Sequence, residues 1–286
     1  MSPAAPAPLI LWRFTDGRRG HDAQSRGLAL AVAARRPARV VDVPATGAVR
    51  ATLDLLSGRF AAGAALPDPD LLIGAGHGTH LPLLAARRAR GGCIVLLMRP
   101  SLPTAWFDLC LIPDHDRVSK RDNVILTRGP LNAIRTGDRG GDRDLILIGG
   151  ISKHCQWEEP ALIAQIRAVL GTPGSWTVTD SPRTPGTTRR LLRDLAGDRY
   201  APWESGDGLA EALAAARRVW VTADSLSMIY EALTAGAAVG VLELPATRDG
   251  NRVVEAIRRL RAERRITIFS EWRPGTELPA PPAPLA

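Results

Sequence analysis

"VTADSLSMIYEALTAGAAVGVLEL" (residues 221–244) reads as a strand, a helix and a second strand in immediate succession. The first apolar run stops at Asp224, the helix spans 226–236, and Gly236 ends it in the usual C-cap manner before "AVGVLEL" (238–244) begins. Both flanking strands are apolar throughout, as expected of parallel strands covered on both faces. Asp224, Ser225 and Ser227 crowd the helix N-terminus, where side chains cap and free N–H groups can face a ligand. Glu231 lies one helical turn beyond Ser227 on the same face, so its carboxylate could accept both hydroxyls of a ribose. The plainer alternative makes Asp224 or Ser225 a cap alone and Glu231 a solvated helix residue.

The same alternation runs along the whole chain. Strands are expected at 9–14, 38–43, 70–76, 93–98, 108–113 and 123–127, then at 144–150, 175–180, 218–224, 238–244 and 266–270. Helices are expected at 23–36, 48–57, 80–90, 158–170, 186–196, 207–217, 226–236 and 250–264. Short strands separated by helices indicate an α/β chain with two doubly wound halves facing across a linker. "NAIRTGDRGGDRD" (132–144), polar, glycine-rich and aperiodic, marks the boundary. We therefore expect domains at 1–140 and 141–272, followed by a disordered, proline-rich tail at 273–286.

Composition narrows the function classes. The 286 residues carry a net charge of +8, which favours anionic partners such as nucleotides, phosphorylated substrates or anionic lipid. Arginine replacing lysine is the bland account of that charge, because Lys120 and Lys153 are the only lysines. Aromatic residues interleaved with basic ones are missing, which disfavours nucleic acid. Cys93, Cys110 and Cys155 are too scattered for a disulfide framework or a zinc site and suit a reducing cytoplasm. The amino terminus lacks the basic and apolar regions of a signal peptide, and no apolar window is long enough to span a membrane.

Polar residues of catalytic type collect after the strands, where α/β sheets bind ligands. "TDGRRGHDAQSRGLALAVAAR" (15–35) reads as a glycine turn between strand and helix. All five histidines, His21, His77, His80, His115 and His154, follow strand candidates. "GAGHGTH" (74–80) with His115 and Asp116 could in principle ligate zinc, but the spacing is loose, and polar contacts to a ligand are the better reading. "GGISKH" (149–154) presents Gly149 and Gly150, whose N–H groups would join Ser152 and Lys153 in holding a diphosphate. It lacks the spacing of a P-loop, and the alternative is a plain turn with Ser152 as N-cap. In "SPRTP" (181–185), Arg183 and Thr184 suit phosphate equally well as they suit a rigid turn.

"DGRRGHDAQSRGLA", "LLIGAGHGTH", "FDLCLIPDHD", "GGISKH", "SPRTP" and "VTADSLSMIYEA" occur in that order. Together they resemble the mitochondrial-fission "elongated mitochondria" family and its bacterial relatives, over about residues 9–270. The bacterial members are regarded as glycosyltransferases of GT-B-like architecture, while the plant member is described as an adaptor recruiting a division dynamin. The resemblance implies two Rossmann-like domains, the first holding an acceptor and the second a nucleotide-sugar donor. It implies donor contacts from Gly149, Gly150, Ser152, Lys153, Arg183, Thr184, Asp224, Ser225, Ser227 and Glu231. His21 is the expected catalytic base, with Asp16 as its alternative or orienting partner. Gly20, Gln24, Ser25, His77, His80 and His115 are the expected acceptor-side residues.

Three departures stand out: Pro182 where arginine is usual, "AGAAV" (235–239) in place of a TGKPV-like run, and no Asn-Pro-Tyr within 201–216. The expectation is thus a metal-independent, inverting glycosyltransferase without cofactor, using a nucleotide sugar and a membrane or envelope acceptor. Its expected location is the cytoplasm, peripheral at the inner membrane face. Competing readings are a non-enzymatic adaptor, distinguished by the absence of nucleotide binding, and a nucleotide-sugar epimerase or hydrolase, distinguished by nucleotide release without acceptor.

Overall fold

A computed structural model describes residues 7–116, 118–134, 143–202, 208–248 and 250–279. The chain divides into two units, Met1–Ala133 and Ile134–Ala286. In the first, β1 (Leu9–Thr15), α1 (Arg19–Ala33), β2 (Ala38–Pro44), α2 (Ala48–Ser57) and β3 (Leu71–Ala75) follow one another. Then come α3 (His80–Arg90), β4 (Cys93–Leu97), β5 (Leu109–Pro113) and β6 (Val124–Thr127). The strands form one parallel sheet in the order β2-β1-β3-β4-β5-β6.

Side-chain alternation along these strands builds two layers. Leu11 of β1, Ile73 and Ala75 of β3 and Leu97 of β4 pack with Ala29 of α1. Their neighbours Trp12, Phe14, Leu72 and Leu96 face the other way and pack with Leu83–Ala86 of α3. Both faces being covered explains why the strands read as unbroken apolar runs.

The second unit contains β7 (Arg143–Leu147), α4 (Glu159–Leu170), β8 (Ser175–Thr179), α5 (Gly186–Ala196) and α6 (Gly208–Ala214). It continues with β9 (Ala216–Thr222), α7 (Leu226–Ala235), β10 (Ala238–Leu242), α8 (Arg252–Ala262) and β11 (Ile266–Ile268). Its parallel sheet has the order β11-β10-β9-β7-β8. Gly240 sits beside Trp220 across the β10–β9 ladder, and a Cβ there would lie 2.4 Å from the indole. A glycine in this strand therefore makes room for the ring, which meets Trp272 edge-on with ring centres 5.0 Å apart.

Several elements depart from the sequence reading, β7 among them, ending at Leu147 rather than 150. α1 begins at Arg19 rather than 23, and α6 ends at Ala214 rather than 217 because β9 starts at Ala216. The tail expected to be disordered from 273 is anchored as far as Leu278: Leu278 is buried, and the Thr276 carbonyl accepts the Trp272 indole N–H at 2.9 Å. The tail beyond 279, most of the 132–144 boundary and part of 201–216 lie outside the described residues.

In each sheet the strand order reverses direction once, between β1 and β3 and between β7 and β9. Chain leaving the carboxyl ends of such a pair diverges to opposite sides and leaves a crevice, the usual ligand position of an open α/β sheet. Most of the candidate residues are found at these two switch points, His115 after β5 being an exception.

Candidate functional site

At the first switch point, β1 leads into Asp16 and then Gly17, whose φ of +74° turns the chain into α1. Gly20 and His21, expected in a glycine turn, instead occupy the first turn of α1. The Asp16 carboxylate accepts the Arg18 N–H at 3.1 Å through one oxygen and contacts His21 Nδ1 at 2.8 Å through the other. Two glycines of "GAGHG" admit this pair. A Cβ on Gly76 would lie 2.2 Å from the His21 ring, and one on Gly78 would lie 3.3 Å from the Asp16 side chain. The turn after β3 is thus glycine-rich because a carboxylate–imidazole pair from the β1 exit and the start of α1 lies against it.

A cavity of about 610 Å³ opens beside Asp16, with Asp16, Gly17, Thr46, His77 and His80 among its polar lining and Leu81, Pro82 and Leu102 among its apolar lining; His21 stands behind Asp16 and does not line it. His77 Nδ1 lies 2.6 Å from the Ser101 hydroxyl, which lies 3.3 Å from His80 Nδ1. His80 is 2% exposed, its ring set edge-on against Phe107, and burial followed by the nearby His77 lowers its pKa to about 4. It is a neutral imidazole across the physiological range.

Three expected acceptor-side residues are placed otherwise. Ser25 is fully buried, donating to the Asp22 carbonyl at 3.2 Å and accepting from Arg13 at 3.4 Å. Gln24 is buried and donates to the Gly20 carbonyl at 3.3 Å, so both brace α1 from within. His115 lies on a short helical turn after β5, between the carboxylates of Asp114 and Asp116 at 4.0 and 3.9 Å, and does not line the cavity. No group of three or more His, Cys, Asp or Glu side chains placed to hold a metal occurs among the described residues.

The second switch point corrects the phosphate reading of "GGISKH". Gly149 and Gly150 are buried, and their N–H groups donate to Thr222 Oγ1 at 2.7 Å and to the Asp224 carboxylate at 3.0 Å. A Cβ on Gly149 would strike that carboxylate at 2.3 Å, and one on Gly150 would strike the Arg183 carbonyl at 2.0 Å. These glycines allow close approach between two strand exits rather than cradle an anion.

Asp224 likewise faces inward. Its carboxylate is completely buried, accepts from Thr222 at 2.7 Å, and pairs with the Arg183 guanidinium at 2.9 Å. Arg183 also donates to the carbonyls of Gly150 and Ile151, both at 3.2 Å, and keeps one edge exposed. Thr184 is buried, its hydroxyl bonded to the Gly149 carbonyl. Ser225 is buried at the N-cap of α7 without a side-chain cap bond. Ser152 caps no helix, since α4 begins at Glu159; its hydroxyl accepts the His154 N–H at 3.2 Å.

What remains accessible is a smaller set. Ser227 is exposed and donates to Glu231 at 3.1 Å, so the pair spans one turn on the outer face of α7. Partial burial pushes the Glu231 carboxyl above its usual range, and the Ser227 bond opposes that shift. Lys153 is exposed and His154 half-buried. Burial, then Arg252 and Lys153, lower the His154 pKa, while Asp224 partly opposes them. The first N–H groups of α7 carry the partial positive charge of a helix N-terminus.

Sequence reasoning missed one strand exit here. The 151–156 loop is tied to the loop after β10: Thr247 N–H and the Asn251 amide donate to the His154 carbonyl, both at 3.1 Å, and Gln156 N–H donates to the Pro245 carbonyl at 2.8 Å. Asn251 caps α8 by accepting from Val253 and Val254, both at 3.1 Å, and so fixes Arg252 beside His154. An asparagine immediately before an apolar-periodic run was the available signal. Buried Cys110 and Cys155, their thiols pushed up to about 11 by burial, are packing residues rather than nucleophiles.

The model of the family described as mitochondrial fission ELM1 matches residues 19–285. No curated protein matches the chain. Among solved structures, a protein assigned as a UDP-N-acetylglucosamine 2-epimerase from Listeria monocytogenes is similar at 12% identity and TM-score 0.58, covering 91% of this chain and 84% of its own. Acinetobacter baumannii MurG is similar at 14% identity and TM-score 0.50, covering 93% and 87%. Staphylococcus aureus MnaA, solved with UDP, is similar at 12% identity and TM-score 0.50, covering 88% and 87%. At such identities the likeness is one of fold: an α/β chain with two parallel sheets, as in the glycosyltransferases and epimerases of GT-B type.

Proposed function

The chain belongs to the mitochondrial fission ELM1 family, and from that membership and the two switch-point sites we propose that it transfers a sugar from a nucleotide-diphosphate donor to a hydroxyl acceptor. The first unit supplies the acceptor side and the second the donor side. The acceptor oxygen attacks the anomeric carbon as the bond from that carbon to the diphosphate oxygen breaks, its electron pair leaving with the nucleoside diphosphate. The acceptor proton passes to His21 Nε2. Asp16 holds the proton on His21 Nδ1, which fixes the tautomer that can act as base and stabilises the imidazolium that forms.

On the donor side, Glu231 takes the ribose hydroxyls, with Ser227 fixing its rotamer. Lys153, the exposed edge of Arg183 and the N-terminus of α7 offset the diphosphate charge without a metal ion or cofactor. Ser152 lies beside Lys153 as a further hydroxyl. Direct attack implies inversion at the anomeric carbon.

The observation that carries this reading is the Asp16–His21 pair, held over Gly76 at a switch point, with Asp16 lining the adjoining cavity. A paired base and orienter is the signature of a positioned proton acceptor. Calorimetric titration with UDP, GDP, ADP and CMP is expected to find one nucleotide that binds selectively. His21→Ala should then abolish sugar transfer to an envelope-glycan extract, and the nucleoside-diphosphate release that accompanies it, while keeping nucleotide affinity within a few-fold. Loss of both together would remove His21 from the base role, and no nucleotide binding at all would overturn the transferase reading.

A further inference from the structure

α2 is an amphipathic helix mounted with its large apolar residues outward. Its core-facing positions are Ala51, Asp54 and Leu55, of which Asp54 is buried and paired with Arg50 at 3.0 Å. Val49, Leu53 and Leu56 are 79%, 58% and 70% exposed, and spacings of four and three residues align them as one stripe. A surface helix normally buries such a stripe. In the chain beyond, Ala61, Ala62, Ala64 and Ala65 are exposed as well.

The charge nearest the stripe is mainly positive, the exposed Asp68 beyond it being paired with Arg90. Between Ala48 and Leu66 the sole acid is the buried Asp54. Arg59 and Arg88 are exposed beside the end of α2, with Arg88 Nε 3.6 Å from where a Cβ on Gly58 would stand. Gly47 and Ala48, at the head of the same helix, line the cavity next to Asp16.

We propose that this face of α2 docks on an anionic lipid surface. An apolar stripe flanked by arginines combines the two attractions an interfacial helix uses, buried apolar area and contact with anionic headgroups. A second copy of the chain fits less well. The three large side chains expose on the order of 200–300 Å², against about 800 Å² per partner in a stable interface. A self-complementary contact would also set arginines against arginines. The proposal does not depend on the transferase reading.

The test is sedimentation of the full-length protein with vesicles of phosphatidylcholine alone or mixed with phosphatidylglycerol. Binding to the mixed vesicles is expected, at least tenfold weaker in Leu53→Gln/Leu56→Gln, which removes apolar area at constant charge. Arg59→Gln should weaken it by about fivefold. Both variants alter exposed residues, and unchanged melting temperatures verify that they fold. Equal binding by wild type and the double leucine variant would mean attraction by net charge alone and would overturn the proposal. So would failure to bind, or a concentration-dependent dimer abolished by the leucine substitutions.

Discussion

Asp224 and Glu231 stand seven positions apart on one strand–helix segment, and the structure gives them opposite consequences on substitution. Asp224→Ala removes the acceptor of the buried Gly150 N–H and of the buried Thr222 hydroxyl proton. Arg183 keeps the carbonyls of Gly150 and Ile151, so its half-exposed guanidinium adds little. Two orphaned buried donors at ~1.5 kcal/mol each total about 3 kcal/mol. For a unit of this size that corresponds to a fall in melting temperature of roughly 6–12 °C. Glu231→Gln keeps an oxygen that can accept from Ser227 and removes only the charge, so it should move the melting temperature by less than about 2 °C. The assay is thermal unfolding of both variants beside calorimetric nucleotide titration at a temperature where both are folded. Glu231→Gln is expected to weaken nucleotide binding at native stability, and Asp224→Ala to lose stability first. The reasoning is refuted if Asp224→Ala melts like wild type but no longer binds nucleotide, because the carboxylate would then face ligand rather than Gly150.

Three other outcomes follow from contacts and titrations. The folded value for His80 is about 4 and the unfolded one 6.5, so below pH 6.5 the unfolded chain takes up a proton that the folded chain refuses until about pH 4. Stability is then full above pH 6.5 and falls towards pH 4, by about 2 kcal/mol at pH 5. Urea titrations should show this pH 7-to-5 loss shrink by that amount in His80→Gln, and an unchanged loss would rule His80 out. Gly240→Ala should cost about 1–3 kcal/mol, because the buried Trp220 ring has no space to retreat. Gly186→Ala, which meets open space, is the neutral control in the same denaturation series. Gly76→Ala would drive a Cβ into the His21 ring at a φ of +79°; turnover should fall with His21 displaced while nucleotide affinity is kept, and native turnover would refute the close approach.

The positions of strands and helices were legible because they follow from local pattern. Apolar runs such as "LILWRF" and "AVGVLEL" must be buried on both faces, whatever surrounds them. Gly236 closes α7 in the left-handed conformation as the sequence indicates, at φ +88°. The start of α1 was not legible, because "RRGHDA" shows no apolar periodicity; its inner side is Gln24 and Ser25, polar residues whose burial is settled by bonds to Gly20, Asp22 and Arg13. α2 misleads in the opposite way, since its apolar stripe would by itself be assigned to the core.

The chain by itself determined which elements form, that their strands run parallel and that chemistry collects at strand exits, since each depends on spacing within a few residues. Only the tertiary structure decided what those exits offer a ligand. Gly149 and Gly150 look like an anion cradle until Thr222 and Asp224, more than seventy positions away, take their N–H groups. A donor engaged inside the protein is withdrawn from solvent, and no local pattern records which distant side chain engages it.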